Sequence, residues 1–403
     1  MKIVVTVPYT PWPVTRGTGR LIINLMEGLS VRHEVTLVTM TLSKDGLERL
    51  KELEKPGIKV RAMLAPHRQG ASGKLLRKVR NVISDYVRGI PQDVSYSAPP
   101  EFLRLIADTA SEESADLVLA SYWHMYRLSD YVSDSRLALV THDMDYIVNR
   151  ERLKLTGKVD RRIKSEKEAL RLERIETEAY RRFDTILTVT ASDAEVLGSI
   201  PAYEGKKILP LPLALDLSIF SPGAFDREPD RILFLGSFHS DFNRDALRYF
   251  TSDVFPLVRC EVPGAVLEVV GHGVDNGLRS EAGEGVEFTG GVEDIVPYLG
   301  RCSLMVLPLR FSGGVRIRMM EAAAMATAVV STPAGVAGMG LEAGSAYIEA
   351  ADADSMARSV VSLLRDREEV ARLGGNARRW AERSVSMENY PDRLDVMLAE
   401  LQD

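Results

Sequence analysis

The sequence predicts an α/β protein built from two doubly wound, Rossmann-like domains facing a central cleft. Three observations predict it. Short runs rich in Val, Ile and Leu alternate with longer helical stretches along the whole chain. These runs are apolar on both faces, as strands of a parallel sheet covered by helices must be. The alternation also restarts after Pro210-Leu211-Pro212, so 403 residues divide into two successive arrays, each of about 200 residues and so of ordinary domain size.

In chain order, the first array offers strands at Lys2–Val7, Glu34–Met40, Ile58–Leu64, Asp116–Ala120, Leu137–Thr141 and Thr185–Thr190. The second offers Arg231–Gly236, Ala265–Val270, Val286–Thr289, Leu304–Leu309 and Ala328–Ser331. The expected domains are 1–207 and 208–385, with residues 386–403 forming a C-terminal helix able to pack back on the first domain. In such sheets ligands sit at the carboxyl ends of the strands, here in the cleft between domains.

Composition narrows the function. An apolar fraction of 45% and a net charge of −6 describe a soluble globular chain. The apolar run Ile3-Val4-Val5 is cut by Thr6 and Pro8, too short for a secretory signal, and no run approaches the ~20 residues of a membrane span. Two cysteines and six histidines show no metal or redox spacing, so the expected setting is the cytoplasm, with no metal and no cofactor. Charge is uneven: residues 1–207 carry 33 Lys+Arg against 28 Asp+Glu, residues 208–403 carry 18 against 29, and those 18 are all Arg. The halves therefore either meet different partners or differ only in solvated surface. A nucleic-acid partner is not expected. "RGTGRL" offers Gly17 and Gly19 but has Ile22 in place of a third glycine, and it lies some ten residues beyond the first strand. An NAD-binding fingerprint is rejected on those grounds.

The most informative stretch is "PLRFSGGVRIRMMEAAAMATAVVST", 308–332. It reads as a strand ending at Leu309, a turn through Ser312, Gly313 and Gly314, and a helix over Val315–Met325. A helix start concentrates unpaired N–H groups and the positive end of the macrodipole, so carboxylates belong there and cations do not. Arg316 and Arg318 nevertheless occupy it, with no acid before Glu321. An external anion resolves the conflict: the glycines let backbone N–H groups approach a phosphate, and the arginines add charge and donors suited to a diphosphate. Glu321, an acceptor-only carboxylate one turn further in, suits a pair of ribose hydroxyls. The plainer alternative is an i,i+3 ion pair between Arg318 and Glu321, which leaves Arg316 and the double glycine unexplained.

This stretch resembles the donor-site signature of glycosyltransferase family 4, retaining enzymes of the GT-B fold, in the polysaccharide- and glycoconjugate-assembly branch. The matching order is Pro308-Leu309-Arg310, Gly313-Gly314, Arg316-Ile317-Arg318, Glu321-Ala322 and Val329-Val330-Ser331-Thr332. "HEVTLVT" (33–39), "HDMD" (142–145), "FLGSF" (234–238), "NRDALRYF" (243–250), "VEFTGGVED" (286–294) and "STPAGVAGM" (331–339) fall where the family has counterparts.

The resemblance implies a hexosyl-type transfer from a UDP- or GDP-linked sugar to a glycan, lipid-linked or small-molecule acceptor, with retention and without metal. It implies that the first domain holds the acceptor and the second the nucleotide-sugar. Arg316 and Arg318 would stabilise the leaving diphosphate, and His142 would hydrogen-bond the donor sugar. Gly17, Gly19 and Arg20 would lie near the diphosphate, and Val292 would mark main-chain contacts to the base. The chain departs from the family at several places: Gly313 replaces a frequent glutamate, Ser237 a frequent Arg, Asn243 a frequent Lys, and Leu213-Ala214 the usual Asn-Gly. Arg316 and Arg318 read as replacements for the lost cations. A non-catalytic GT-B homologue acting as a binding partner, or a GT-B nucleotide-sugar epimerase, are the alternatives.

Two further segments carry open readings. Asp143-Met144-Asp145 has the form of a metal-holding Asp-x-Asp pair, although two carboxylates alone make a poor octahedral site. Residues 72–88, "SGKLLRKVRNVISDYVR", place Leu75, Leu76, Val79, Val82, Ile83, Tyr86 and Val87 on one helical stripe, with Lys74, Arg77, Lys78, Arg80 and Arg88 around it. That pattern fits either an ordinary surface helix or peripheral contact with an anionic membrane at its inner face.

Overall fold

The structure is a computed structural model, and it describes residues 1–13, 17–66, 92–156, 166–311 and 313–402. The chain forms two compact units: Met1–Ile147 with Ser165–Ala214 and Met387–Asp403, and Val148–Lys164 with Leu215–Ser386. Both are α/β layers. The basic stretch 72–88 lies outside the described residues. Among the described residues no helix is long and apolar enough to cross a membrane.

The first unit holds seven strands: β1 (Lys2–Val7), β2 (Glu34–Thr41), β3 (Ile58–Leu64), β4 (Leu117–Ser121), β5 (Arg136–Thr141), β6 (Thr185–Thr188) and β7 (Lys207–Pro210). They make one parallel sheet in the order β3-β2-β1-β4-β5-β6-β7. Side chains alternate across a strand, and both faces are buried here. Val4, Val38, Val118, Leu139 and Ile186 enter one core, while Ile3, Val5, Leu37, Leu119 and Val140 enter the other. That two-sided burial is why the strands read as continuous apolar runs. β7, which is not among the strands expected from the sequence, forms the edge beyond β6.

The helix Tyr390–Gln402 lies against Gly17–Ser30, the helix that follows β1. A Cβ at Gly28 would come within 2.5 Å of the Tyr390 ring. The Tyr390 hydroxyl donates to the Pro212 carbonyl at 2.9 Å, Arg393 to that of Leu213 at 2.9 Å, and Arg32 bridges Asp392 and Asp395.

The second unit holds β8 (Arg231–Leu235), β9 (Val266–Val270), β10 (Val286–Gly290), β11 (Leu304–Leu307), β12 (Ala328–Ser331) and β13 (Ile348–Glu349). They form a parallel sheet in the order β10-β9-β8-β11-β12-β13. Ile232, Phe234, Leu267, Val269, Leu304, Val306 and Val330 face one core. β10 departs from the all-buried expectation: as an edge strand it alternates partly buried and exposed residues. The helix Ile317–Ala324 can lie close to its neighbours because Ala322, Ala323 and Ala324 are small and fully buried. Nearby, a Cβ on Gly374 of the helix Arg367–Ser384 would collide with the Ala326 carbonyl at 2.1 Å.

Both sheets share one logic. Their strand orders reverse between β1 and β4 in the first unit and between β8 and β11 in the second. The carboxyl ends of those strand pairs are where a doubly wound sheet opens a crevice.

Candidate active site

In the second unit, the strand β11 runs into Pro308, the glycine turn, and the helix Ile317–Ala324. Ser312 lies outside the described residues. Gly314 has φ +62°, a left-handed conformation that admits glycine without penalty. Gly313 accepts a hydrogen bond from Nη1 of Arg316 at its carbonyl. Arg316 is therefore not in the first helical turn but at the N-cap, with φ −90° and ψ 78°, and its buried side chain folds back on the glycine turn. The helix has no acidic residue in its first turn and no side-chain cap.

Arg318 goes elsewhere. Its Nη1 donates to the Leu235 carbonyl, at the carboxyl tip of β8. The i,i+3 ion pair considered from the sequence is thus not the use Arg318 is put to. Burial, then the neighbouring charge of Arg316, pulls its guanidinium down to about 10, and Glu321 opposes the fall. Glu321 itself is 9% exposed on the inner side of the helix.

The tip of β8 is bare backbone by necessity. A Cβ at Gly236 would lie 3.1 Å from Nη1 of Arg318 and 3.1 Å from Cγ of Asn243, and one at Gly271 would strike the Gly236 carbonyl at 1.7 Å. Asn243, 2% exposed on the helix Asp241–Tyr249, donates to the Ser237 carbonyl at 2.8 Å. Its Oδ1 is buried with no hydrogen-bond partner. Gly236, Ser237, Asn243, Gly313, Gly314, Arg316 and Arg318 therefore converge around the carboxyl ends of β8 and β11. Val292 follows β10 and is partly buried. Beside it, the exposed His272 ring lies over Gly291, where a Cβ would meet it at 1.8 Å unless the ring moved aside.

In the first unit, a second cluster occupies the carboxyl ends of β1, β4 and β5. His142 follows β5, is 4% exposed, and neither ring nitrogen has a hydrogen-bond partner. Burial alone pulls its imidazole down to about 4, so the ring is neutral near pH 7, with one donor and one acceptor. The helix Gly17–Ser30 begins at Gly17 with no acid in its first turn, and Arg20 is partly buried there. Gly19 is needed for a local reason: a Cβ would come within 3.0 Å of the Pro11 carbonyl.

Sequence reasoning missed two residues of this cluster. Tyr122, after β4, lies against His142 with ring centroids 4.4 Å apart and planes tilted by 31°, and its hydroxyl meets that of Tyr9 at 2.7 Å. No motif signals either one.

The Asp-x-Asp segment is built into the scaffold. Asp145 accepts from the indole N–H of Trp123 at 2.9 Å, and Met144 is 5% exposed. Behind it, the fully buried Glu176 accepts from the Tyr146 N–H at 2.8 Å and from the Tyr180 hydroxyl at 2.7 Å. Burial, then Asp145, raises its carboxyl well above the usual range. Among the described residues, no three His, Cys, Asp or Glu side chains converge as metal ligands.

Comparison with known proteins matches residues 229–366 to the family described as Glycosyl transferases group 1. No curated protein matches the chain. Sucrose-phosphate synthase of Thermosynechococcus elongatus superposes with a TM-score of 0.74 at 15% identity, covering 100% of this chain and 99% of that one. HepE of Anabaena, solved with UDP and glucose, gives 0.65 at 15% identity over 99% of both chains. TarM of S. aureus, solved with UDP and α-GlcNAc-glycerol, gives 0.68 at 12% identity over 97% of this chain and 98% of its own. The chain thus has the GT-B fold, and its segment 229–366, which carries the arginine pair and Glu321, matches the group 1 glycosyl transferases, findings that together support a GT-B glycosyltransferase.

Proposed function

We propose that the protein is a retaining glycosyltransferase of family 4 type that moves a hexosyl group from a UDP- or GDP-linked donor to a glycan, lipid-linked or small-molecule acceptor. One observation carries the reading. Two buried or half-buried arginines stand at an acid-free helix start, and one reaches the glycine-bare tip of the neighbouring strand. A nucleoside diphosphate is the anion that fits such a start. Support comes from structures of the same fold, HepE in complex with UDP-glucose and TarM in complex with UDP.

Stabilising the leaving diphosphate is the electrostatic task assigned to Arg318, with Arg316 holding the glycine turn. His142, neutral and unpaired, offers a donor and an acceptor to hydroxyls of the transferred sugar. The acceptor is assigned to the first unit. Transfer proceeds without metal in this reading and survives EDTA.

The test is a thermal-shift panel of UDP, GDP and their sugars, followed by nucleotide release with candidate acceptors and NMR of the product anomer. Ligand at about 100 times its dissociation constant adds about 2.7 kcal/mol of apparent stability. No stabilisation by any nucleotide would sink the proposal. Binding without release would favour the non-catalytic homologue, and turnover without acceptor an epimerase. The sequence of residues 72–88 leaves a membrane-borne acceptor open. Co-sedimentation with anionic vesicles, lost in high salt and on changing Lys74, Arg77 and Lys78 to Glu, is the outcome expected of one.

A further inference from the structure

We propose that Tyr122 is a positioning residue that holds the His142 imidazole in a single orientation. The proposal rests on the reading of His142 as the sugar-contacting group, and it is carried by four observations in the first unit.

The first concerns what does not hold His142. A buried histidine is ordinarily oriented by a hydrogen bond from one ring nitrogen. Here neither nitrogen has such a partner, although the residue is 4% exposed. The ring contact with Tyr122, 4.4 Å between centroids with planes 31° apart, is therefore the ring–ring contact that orients the imidazole among the described residues.

The second concerns the backbone of Tyr122, which has φ 74° and ψ 140°. That conformation is close to a region that essentially only glycine visits, and bulky residues found there are held by their surroundings. A tyrosine kept in it, where glycine would sit without strain, indicates a demand for the side chain.

The third shows what fixes the backbone. The Tyr122 N–H donates to the Val140 carbonyl at 2.8 Å. Val140 stands two residues before His142 on β5, so this bond ties the strained residue to the strand that delivers the histidine.

The fourth shows what fixes the ring. The Tyr122 hydroxyl meets the Tyr9 hydroxyl at 2.7 Å. Tyr9 follows β1. The far end of the tyrosine is thus held at the carboxyl end of β1, while its ring meets that of His142 after β5 at a tilt of 31°. A residue that merely filled space would need neither the strained backbone nor the hydroxyl contact. Tyr122 is only partly buried.

The experiment uses the full-length protein labelled with ¹⁵N-histidine, with His142→Gln identifying the His142 signals. Wild type is expected to give one sharp set of imidazole shifts for His142 at neutral pH. Tyr122→Phe keeps the ring contact and should retain that set. Tyr122→Gly should give broadened or averaged shifts, with circular dichroism unchanged. Tyr122→Ala, which keeps the unfavourable φ, should melt below Tyr122→Gly and show the same loss of the sharp set. Should either small variant fail to fold, Tyr122→Leu, which keeps bulk without an aromatic face, decides the spectroscopic arm.

A second arm compares UDP with UDP-glucose by calorimetry. Tyr122→Gly should reduce the affinity gained from the glucosyl group by about tenfold while leaving UDP alone within about twofold; a tenfold change is about 1.4 kcal/mol. His142 shifts unchanged in Tyr122→Gly and Tyr122→Leu would overturn the positioning role. If wild type binds neither UDP nor UDP-glucose, the glycosyltransferase reading fails, and the NMR arm still decides what Tyr122 does to His142.

Discussion

Replacing Arg318 by methionine removes a cation while keeping an unbranched side chain of similar reach, and the structure gives its effects opposite signs. In the free protein the guanidinium is pulled well below the usual arginine range, to about 10, first by burial and then by Arg316. A displacement of that size corresponds to about 3 kcal/mol held against the charge. Arg318 keeps partial contact with water, so screening leaves about half, ~1.5 kcal/mol. Against this stands the lost hydrogen bond to the Leu235 carbonyl, about 1 kcal/mol. The variant without ligand should therefore be as stable as the parent or up to about 1 kcal/mol more stable, a rise of at most about 4 °C in melting temperature for a unit of this size. With UDP or GDP the sign reverses. Losing a charged contact weakens binding by about 1.5–3 kcal/mol, or roughly 10- to 150-fold. Differential scanning fluorimetry with and without nucleotide, backed by calorimetry, reads both quantities. A variant that melts several degrees lower without ligand, and binds nucleotide like the parent, would show that Arg318 is a structural residue and refute the phosphate-site argument.

Three other outcomes follow from the same structure. His142 is neutral in the fold, its imidazole lowered to about 4, whereas the unfolded chain binds a proton near 6.5. Its contribution is therefore lost as pH falls from about 6.5 to 4, by at most about 3 kcal/mol, and urea unfolding at pH 7, 5.5 and 4.5 should show a shallower decline in His142→Asn. Glu176 has the opposite sign: its raised carboxyl favours the protonated form in the fold, so the stability of Glu176→Gln relative to wild type should improve as pH rises above the ordinary carboxylate range, and a constant difference between pH 5 and 8 would count against a neutral Glu176. Gly28→Ala drives a methyl into the Tyr390 ring and should cost about 1–3 kcal/mol, measured by thermal melting and relieved in part by Tyr390→Leu.

Most of the strands were legible because burial on both faces writes a continuous apolar run into the sequence. β7 escaped for the reason that makes it tolerable: it ends in Pro210, whose missing N–H is harmless at a sheet edge. β13 is two residues long and has no run to read. The arginine pair was legible because it contradicts the helix dipole, and such local contradictions collect at functional sites. The partner of Arg318 was not, since it is a backbone carbonyl 83 positions away that any residue would supply. Tyr122 was hidden more completely. Its meaning lies in a positive φ that no tyrosine announces, and in a contact with Tyr9 that only the strand order β1-β4-β5 brings near. The grouping of Val148–Lys164 with the second unit left no mark in composition or pattern.

The return of the chain to its first unit has a consequence for synthesis on the ribosome. The notch at Gly28 and the carbonyls of Pro212 and Leu213 are answered by Tyr390 and Arg393, which are translated only after the whole of Leu215–Ser386. The second unit can emerge and close on its own residues, while the first waits with an unfilled apolar groove beside its opening helix. A nascent chain stalled near residue 386 would thus expose that groove to chaperones, and the amino-terminal half of this protein is the half that finishes folding last.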